Sequence, residues 1–321
     1  MHVLITGGAG FIGSHLCEAL LEQGHDVTVV DNYLTGSKKN IAHLEGQAHF
    51  RLIEHDITEP VDDDWHERLG KVDAIFHLAS PASPADFSRM PLQIALINSL
   101  GTYNTLEWAK KHGAKYLITS TSEAYGDPLI HPQNENYWGN VNTTGPRACY
   151  DEGKRFGEAL VSVYVREYGL DARIVRIFNT YGPRMNPYDG RSVPNFITQA
   201  LHGESITVYG DGTQTRSYCY VSDMVSGLMT VMFAPAETRG LIFNVGNPDE
   251  REIKAFAEII RDLCGSQSGI EHRPALQDDP ARRCPDITRV STTLGWQPKV
   301  PLEEGLKETV AWFRKRLSHE A

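Results

Sequence analysis

Apolar and polar positions alternate in two recurring patterns along the first half of the chain. Runs rich in β-branched and aromatic residues predict strands at residues 3–6, 27–31, 50–55, 74–79, 116–120 and 173–178. Stretches with helical period lie between them and include residues 11–23, 91–112 and 148–168. Continuously apolar strands separated by helices predict a parallel sheet covered on both faces. The predicted fold class is therefore α/β, with a Rossmann-like, doubly wound parallel sheet.

The pattern loosens after residue 178, where prolines and glycines separate shorter elements. We interpret this change as the boundary between a first domain at residues 1–178 and a smaller C-terminal domain at residues 179–321. Residues 241–245 form one more apolar run. We expect this strand to return to the sheet of the first domain.

Composition narrows the classes of protein to consider. The 321 residues are 40% hydrophobic and 22% charged, as in ordinary globular proteins. A formal net charge of −10 disfavours binding to nucleic acid or to an anionic membrane surface. No apolar run approaches the roughly 18 residues that span a bilayer. We therefore expect neither a nucleic-acid partner nor a membrane span.

The start of the chain and its cysteines indicate a cytoplasmic protein. Met1 leads directly into an apolar strand, without the basic leader or cleavage site of a secreted protein. The five cysteines are odd in number and widely spaced, which is typical of reduced thiols. The 13 histidines show no ligand spacing, so we predict no metal site.

A glycine-rich turn joins the first predicted strand to the first helix. In this turn Gly7 permits a tight bend, Gly10 allows close approach to a pyrophosphate, and Gly13 allows the helix to pack on the sheet. The free N–H groups of the helix start, at Phe11 and Ile12, would then face the phosphates. This context predicts a dinucleotide site, and a purely structural turn is the alternative.

The ends of the next strands favour NAD as the dinucleotide. Asp31, followed by Asn32, can accept hydrogen bonds from a ribose and would repel a 2′-phosphate. Lys38 and Lys39 leave NADP open, although two solvated loop lysines are the simpler interpretation. Ligands of open α/β sheets bind at the carboxyl ends of strands. The other predicted cofactor contacts at strand ends are Asp56, Ile57, Leu78 and Ser80.

Residues 120–154 hold the candidate catalytic groups. Tyr150 and Lys154 are four residues apart on a predicted helix, so their side chains share one face. An ammonium group there can lower the pKa of the phenol and make it a usable base. Thr121 and Glu123 follow the fifth strand and project towards the same edge of the sheet. The two groups together predict a redox centre.

The chain resembles the extended short-chain dehydrogenase/reductase family, through Thr6-Gly7-x-x-Gly10-x-x-Gly13 and Tyr150-x-x-x-Lys154. Within that family it is similar to the UDP-glucuronate decarboxylases, also called UDP-xylose synthases. The runs that carry this similarity lie at residues 77–84, 121–128, 137–142, 145–155, 176–185, 208–216, 278–280 and 285–287. The resemblance implies an NAD-binding first domain and a C-terminal domain that binds a UDP-sugar.

The resemblance also implies a reaction through a 4-keto sugar. Tyr150, held as phenolate by Lys154 and the positive nicotinamide, would take the proton of the sugar C4 hydroxyl, to which Thr121 is hydrogen-bonded, while hydride passes to NAD. Carbon dioxide can then leave, because the carboxylate is β to the new ketone. Glu123, directly or through water, would handle the proton at C5. Hydride return would give UDP-xylose and regenerate NAD, which should stay tightly bound.

Further site residues follow from the resemblance alone. Arg283 matches a family arginine that reaches into the active site, and its neighbour Arg282 is the rival for that role. The positions that match family contacts to the nucleotide are Asn179, Arg191, Tyr209 and Arg216. Guanidinium groups suit a pyrophosphate, and an aromatic ring can stack on uracil. Family members pair as homodimers through two helices, here residues 91–112 and 148–168.

Four departures from the family pattern bear on substrate recognition. Leu96 stands where a lysine usually meets the anionic substrate, and Cys284 also stands where lysine is frequent. Pro194 replaces a serine, and residues 143–144 are Thr-Thr instead of Pro-Ile. Two of these changes remove positive charge. They raise a question about the substrate more than about the redox chemistry.

Three other functions remain open from the sequence. A 4-epimerase or a 4,6-dehydratase of the same family would use the same keto intermediate. A dehydratase is expected to pair an aspartate with the glutamate, but Ser122 precedes Glu123 here. A nucleotide-sensing protein without catalysis is the third alternative, and the intact Thr121, Tyr150 and Lys154 speak against it.

Overall fold

A seven-stranded parallel β-sheet forms the centre of the protein in a computed structural model that describes residues 1–275 and 278–318. Its strands run in the order β11-β6-β5-β4-β1-β2-β3. The strands of the described chain are β1 (His2–Thr6), β2 (Asp26–Asp31), β3 (Phe50–Glu54), β4 (Ala74–His77), β5 (Lys115–Thr121), β6 (Ala172–Ile177), β7 (Thr180–Tyr181), β8 (Ile206–Tyr209), β9 (Thr215–Ser217), β10 (Cys219–Tyr220), β11 (Ile242–Val245), β12 (Glu250–Glu252), β13 (Ile270–Arg273) and β14 (Arg282–Arg283).

This sheet confirms the predicted fold class. The six predicted strands of the first half are all present, and the differences are confined to a few residues at their ends. β4, for example, ends at His77 instead of residue 79, because the chain leaves the sheet after His77. The run near residue 241 forms β11, which pairs in parallel with β6 at the edge of the sheet.

Helices cover both faces of the sheet. Two large apolar clusters, one on each side, form the core, and they include Val3 and Ile5 on one side and Leu4 and Ile75 on the other. The α-helices of the described chain are α1 (Phe11–Glu22), α2 (Asp63–Leu69), α3 (Pro84–Arg89), α4 (Pro91–Leu96), α5 (Thr102–His112), α6 (Ala148–Tyr168), α7 (Ser192–His202), α8 (Val221–Met232), α9 (Ile253–Leu263), α10 (Thr288–Leu294) and α11 (Leu302–Ser318).

The single helix predicted at residues 91–112 is wrong in one respect. A π-helical turn at Ile97–Gly101 separates α4 from α5. Hydroxyl side chains bond back to the carbonyl groups of the preceding turn here: Ser99 to Ala95 at 2.6 Å and Thr102 to Asn98 at 2.8 Å. Such bonds compete with the regular ladder. Apolar spacing alone does not reveal this irregularity.

Helix α6 has the predicted bounds and ends at Gly169, which adopts a positive φ of 65°. Glycines let this helix pack closely on its neighbours. A Cβ atom at Gly153 would lie 3.0 Å from Asn98 Cβ, and one at Gly157 would lie 3.0 Å from Ile118 Cδ1. Because of this close packing, the face of α6 that carries Tyr150 and Lys154 lies against the edge of the sheet.

Three small sheets lie beyond the main sheet: β7 with β10, β8 with β13, and β9 between β12 and β14. In the last of these, Arg283 is paired in register with Arg216. All five cysteines lie in the described part of the chain and are unpaired. Among the described residues, no helix has both the length and the apolar character needed to cross a membrane.

Candidate active site

A cavity of about 770 Å³ runs along the carboxyl ends of the sheet strands. This volume is in the range of small-molecule and cofactor sites. Every residue that the sequence predicts to bind the cofactor lines it: Gly7, Gly10, Phe11, Ile12, Gly13, Asp31, Asn32, Asp56, Ile57, Leu78, Ser80, Tyr150 and Lys154. Their individual contacts to a cofactor stay predictions.

The glycine turn has the shape that a dinucleotide requires. Gly7 has a φ of +77°, which favours glycine. A Cβ atom at Gly13 would collide with the carbonyl oxygen of Gly7, and one at Gly10 would lie 3.1 Å from the same atom. Side chains are therefore excluded from the helix start, where N–H groups can face a pyrophosphate. These residues fit NAD.

Asp31 organises the loop around the adenosine end of this cavity. Its carboxylate accepts hydrogen bonds from the Ala9 N–H at 2.9 Å and from the Tyr33 N–H at 2.8 Å. Lys38 points to Glu54, 3.0 Å away, and is mostly exposed, whereas Lys39 lines the cavity. The acidic group is thus held at the predicted ribose position, and one of the two lysines is turned away from it.

Tyr150 and Lys154 are both almost completely buried. The Lys154 ammonium nitrogen lies 5.9 Å from the centre of the Tyr150 ring and donates to the Thr119 carbonyl at 2.8 Å. Burial raises the pKa of Tyr150 to about 12, against the lowering effect of its hydrogen bond with Thr121 and of the Arg191 charge. Burial also lowers the pKa of Lys154 to about 7.

The expectation that Lys154 and the nicotinamide together hold Tyr150 as a phenolate stays a prediction. Burying a phenolate or an ammonium ion costs solvation free energy, and here this cost exceeds the stabilisation that neighbouring groups of the protein provide. Burial of Tyr150 therefore outweighs the Arg191 charge and the Thr121 hydrogen bond, which lower the pKa of the phenol. The positive charge of a bound nicotinamide ring would lower this pKa further.

Glu123 lies between two arginines. Arg283 approaches it with both terminal nitrogens, one of them 2.9 Å from Oε2, and the Arg147 Nη2 atom lies 2.6 Å from the same oxygen. The guanidinium charges outweigh burial and lower the pKa of Glu123 to about 2. Glu123 is therefore ionised at neutral pH and can accept hydrogen bonds, but it holds no proton to donate.

Of the two rival arginines, Arg283 faces the site. It is 3% exposed, whereas the Arg282 side chain is 58% exposed and lies 3.8 Å from Glu250. Sequence reasoning missed Arg147 as a site residue. Its position three residues before Tyr150, at the start of the same helix, was the available signal.

A second cavity of about 200 Å³ adjoins the first and contains this carboxylate. Its lining includes the remaining predicted residues: Thr121, Glu123, Asn179, Arg191, Tyr209, Arg216 and Arg283. Arg191 is paired with Asp189 at 2.5 Å, and Arg216 with Asp279 at 2.8 Å. With Arg147, four arginines converge on the cavity, which suits an anionic substrate.

The two departures that remove positive charge do not line these cavities. Leu96 is 42% exposed on the outer face of α4 and lines neither cavity. Cys284 is buried, its N–H bonded to the Gln133 side chain at 2.8 Å. Their placement therefore gives no reason to expect that the loss of positive charge at Leu96 and Cys284 weakens substrate binding. Within the described ranges, no group of three histidine, cysteine or acidic residues could hold a metal ion.

The profile of the NAD dependent epimerase/dehydratase family matches residues 3–246, and the chain belongs to this family. The family resemblance and the prediction of NAD are thereby confirmed. The chain is 51% identical to UDP-glucuronic acid decarboxylase 1 of Danio rerio, over 99% of its own length and 74% of the relative's. It is 53% identical to UDP-glucuronic acid decarboxylase 5 of Arabidopsis thaliana, over 99% and 90% of the two chains.

Solved structures of related enzymes share the fold. UDP-glucose 4-epimerase from Thermotoga maritima superposes with a TM-score of 0.89 at 34% identity, covering 99% of this chain and 100% of the epimerase. UDP-glucuronic acid 4-epimerase from Bacillus cereus, in complex with UDP-glucuronic acid and NAD, gives a TM-score of 0.89 at 28% identity, with the same coverage.

Proposed function

We propose that the protein is an NAD-dependent carboxy-lyase that converts UDP-glucuronate into UDP-xylose and carbon dioxide. The observation that carries this proposal is the ionised Glu123, held by Arg147 and Arg283 beside Tyr150. Relatives that are about half identical over nearly the whole chain are UDP-glucuronic acid decarboxylases, which supports the same reaction.

The first step oxidises C4 of the sugar by removing a hydride from C4 and the proton of its hydroxyl group. The residues that line the first cavity would hold NAD, which would supply a reversible acceptor for hydride and a positive charge that favours the phenolate. Tyr150 takes the hydroxyl proton, and Thr121, hydrogen-bonded to Tyr150, orients the same hydroxyl. Lys154 stabilises the phenolate from the buried face of α6.

The second step breaks the bond between C5 and the carboxylate. Once C4 is a ketone, the electrons of this bond pass into an enolate and carbon dioxide leaves. Arg283 and Arg147 stabilise the negative charge near the reacting carbons. Because Glu123 carries no proton, we assign it the orientation of a water molecule that protonates C5. The hydroxide ion left behind takes up a proton from the solvent, so the overall reaction consumes one proton. Tyr150 then returns its proton to the C4 oxygen.

The nucleotide is bound by the second cavity. Arg191 and Arg216 are placed to bind the diphosphate, Asn179 to donate a hydrogen bond to it, and the Tyr209 ring to stack on the base. When the substrate binds, phosphate oxygens would replace Asp189 and Asp279 as the partners of Arg191 and Arg216. Both arginines would therefore remain paired with a negative group. These assignments rest on the family resemblance, and the position of the four side chains along the second cavity supports them.

One incubation tests the reaction. The purified protein is mixed with UDP-glucuronate and no added cofactor, and the sugar nucleotides are followed by NMR. We expect UDP-xylose, formed with cofactor that copurifies. UDP-galacturonate formed without loss of carbon dioxide would instead identify a 4-epimerase.

We also propose a homodimer built on α4, the π-helical turn and α6. Leu92 and Leu96, four residues apart on α4, and Leu100 in the π-helical turn are exposed, 67%, 42% and 42% accessible. Phe156 and Val163 on α6 are also exposed, 51% and 40% accessible. Exposed apolar patches of this kind mark interaction surfaces.

Light scattering tests the dimer. Leu92→Glu combined with Leu96→Glu should give a monomer, because it buries two carboxylates in an apolar contact. Leu129→Glu is the matched control, since Leu129 is 81% exposed on a loop that belongs to neither helix. A dimer that survives the double change, or dissociates equally in the control, would contradict this surface.

Finally, we infer a reducing compartment, the cytoplasm, from the five unpaired cysteines. Four of them are buried. Thiol titration of the unreduced, denatured protein should find all five. A lower number would indicate disulfides and an oxidising location.

A further inference from the structure

The buried face of α6 carries a third charged side chain in line with the two catalytic ones. Tyr150, Lys154 and Glu158 are spaced four residues apart and are all buried. We propose that Glu158 is a positioning residue that keeps Lys154 in its ammonium form, with Arg176 fixing Glu158 in place. The inference rests on the proposed function, because Lys154 serves the oxidation at C4.

Glu158 is held by three donors. Arg176 binds it with two nitrogens, Nε at 2.8 Å from Oε1 and Nη2 at 2.7 Å from Oε2. The Ser120 hydroxyl donates to Oε1 at 2.5 Å. All three residues are at most 7% exposed. Two parallel bonds to a guanidinium hold a carboxylate in one orientation, so Glu158 cannot turn away from the sheet edge.

Arg176 is fixed in turn by the sheet. It is paired in register with Ser120 on β5 and with Asn244 on β11. Its guanidinium carbon lies 4.6 Å from the centre of the Tyr125 ring, and the Tyr125 hydroxyl donates to Asn244 Oδ1 at 2.7 Å. The network therefore spans three neighbouring strands and ends at Glu158.

The Glu158 carboxylate matters to Lys154 because burial disfavours the ammonium ion. The groups that face it are the Thr119 carbonyl on β5, His77 on β4 and Tyr150 on its own helix. Burial lowers the pKa of His77 to about 3, so that ring is neutral. Burial also lowers the pKa of Lys154 to about 7, and the Glu158 charge opposes this lowering. Glu158, one turn further along the same buried face of α6, is therefore the carboxylate that favours the ammonium form of Lys154.

The test is Glu158→Gln, which keeps the shape of the side chain and removes its charge. We expect the alkaline limb of the rate of C4 oxidation, measured in a single turnover, to move down by about one pH unit. At a pH on that limb this is roughly a tenfold loss. The direction follows because a lower pKa of Lys154 means that the ammonium ion is lost at lower pH.

A second readout does not depend on activity. In protein labelled with nitrogen-15 lysine, the Lys154 side-chain signal, assigned by its absence in Lys154→Met, should titrate at lower pH in the variant. Glu167→Gln is the matched control, because Glu167 is exposed on the same helix. Its titration and rate profile should equal those of the unchanged protein.

A double variant covers the possibility that Glu158→Gln does not fold. Glu158→Gln with Arg176→Met leaves no unpaired buried charge, and we again expect the lower titration point. An unchanged titration point in either folded variant would overturn the proposal. If the unchanged protein does not turn over UDP-glucuronate, the proposed function fails, and the NMR titration still judges Glu158.

Discussion

Arg283→Met tests how Glu123 is held in the active site. The two arginines lower the pKa of Glu123 from 4.5 to about 2 despite burial. This difference corresponds to about 3 kcal/mol in favour of the carboxylate, at about 1.4 kcal/mol per pKa unit. Arg147 remains paired after the substitution, so we expect a loss of about 2–3 kcal/mol, somewhat less than for a buried carboxylate left with no partner.

Urea unfolding measures this loss as a free energy of unfolding. Arg282→Met is the matched control, because that exposed side chain lies 3.8 Å from Glu250 and should contribute less than about 1 kcal/mol. UDP-xylose formation should fail only in the Arg283 variant. Equal stability losses in the two variants, or normal product from Arg283→Met, would refute the reasoning.

The pH dependence of unfolding follows from the same ion pairs. A carboxyl group with a lowered pKa in the folded protein stabilises it above its unfolded pKa, here 4.5, and loses this effect as the pH falls towards 2. Arg283→Met should therefore show a smaller decline of stability across this window than the unchanged protein. A decline of the same size in both would contradict the assignment of the shift to Arg283.

Three further predictions concern the cofactor and the two chemical steps. Tyr150→Phe should abolish formation of the keto sugar while leaving the fold intact, and turnover at the normal rate would exclude Tyr150 as the base. Gly13→Ala should abolish copurified NAD, seen by absorbance after denaturation, because the added methyl group collides with the Gly7 carbonyl; Gly269→Ala, with nothing closer than 3.9 Å, is the control. Glu123→Gln should stop the reaction after oxidation at C4, so normal UDP-xylose output would remove Glu123 from the mechanism.

The main sheet and the cofactor cavity were accessible from sequence because local patterns specify them. Continuously apolar strands require cover on both faces, and a glycine triplet between strand and helix permits only a narrow set of conformations. Gly7 does adopt a positive φ, and α6 has the predicted bounds.

The electrostatics of the site could not be predicted in the same way. Whether burial or a neighbouring charge controls the pKa of Tyr150 depends on groups from β5, α6 and the loop around Arg191. The pairing of Glu123 with Arg283 joins residues 160 positions apart. The exposure of Leu96 could not be predicted either, because helical spacing does not reveal which face of α4 is exposed to solvent.

The most direct test of the proposed reaction uses UDP-glucuronate labelled with carbon-13 in the carboxylate, incubated with the purified protein in deuterated water without added cofactor. We predict that the label leaves as carbon dioxide and bicarbonate, and that UDP-xylose appears with one deuterium at C5. Label that stays in the sugar nucleotide, in UDP-galacturonate or an unreacted substrate, would contradict the assignment of a decarboxylase.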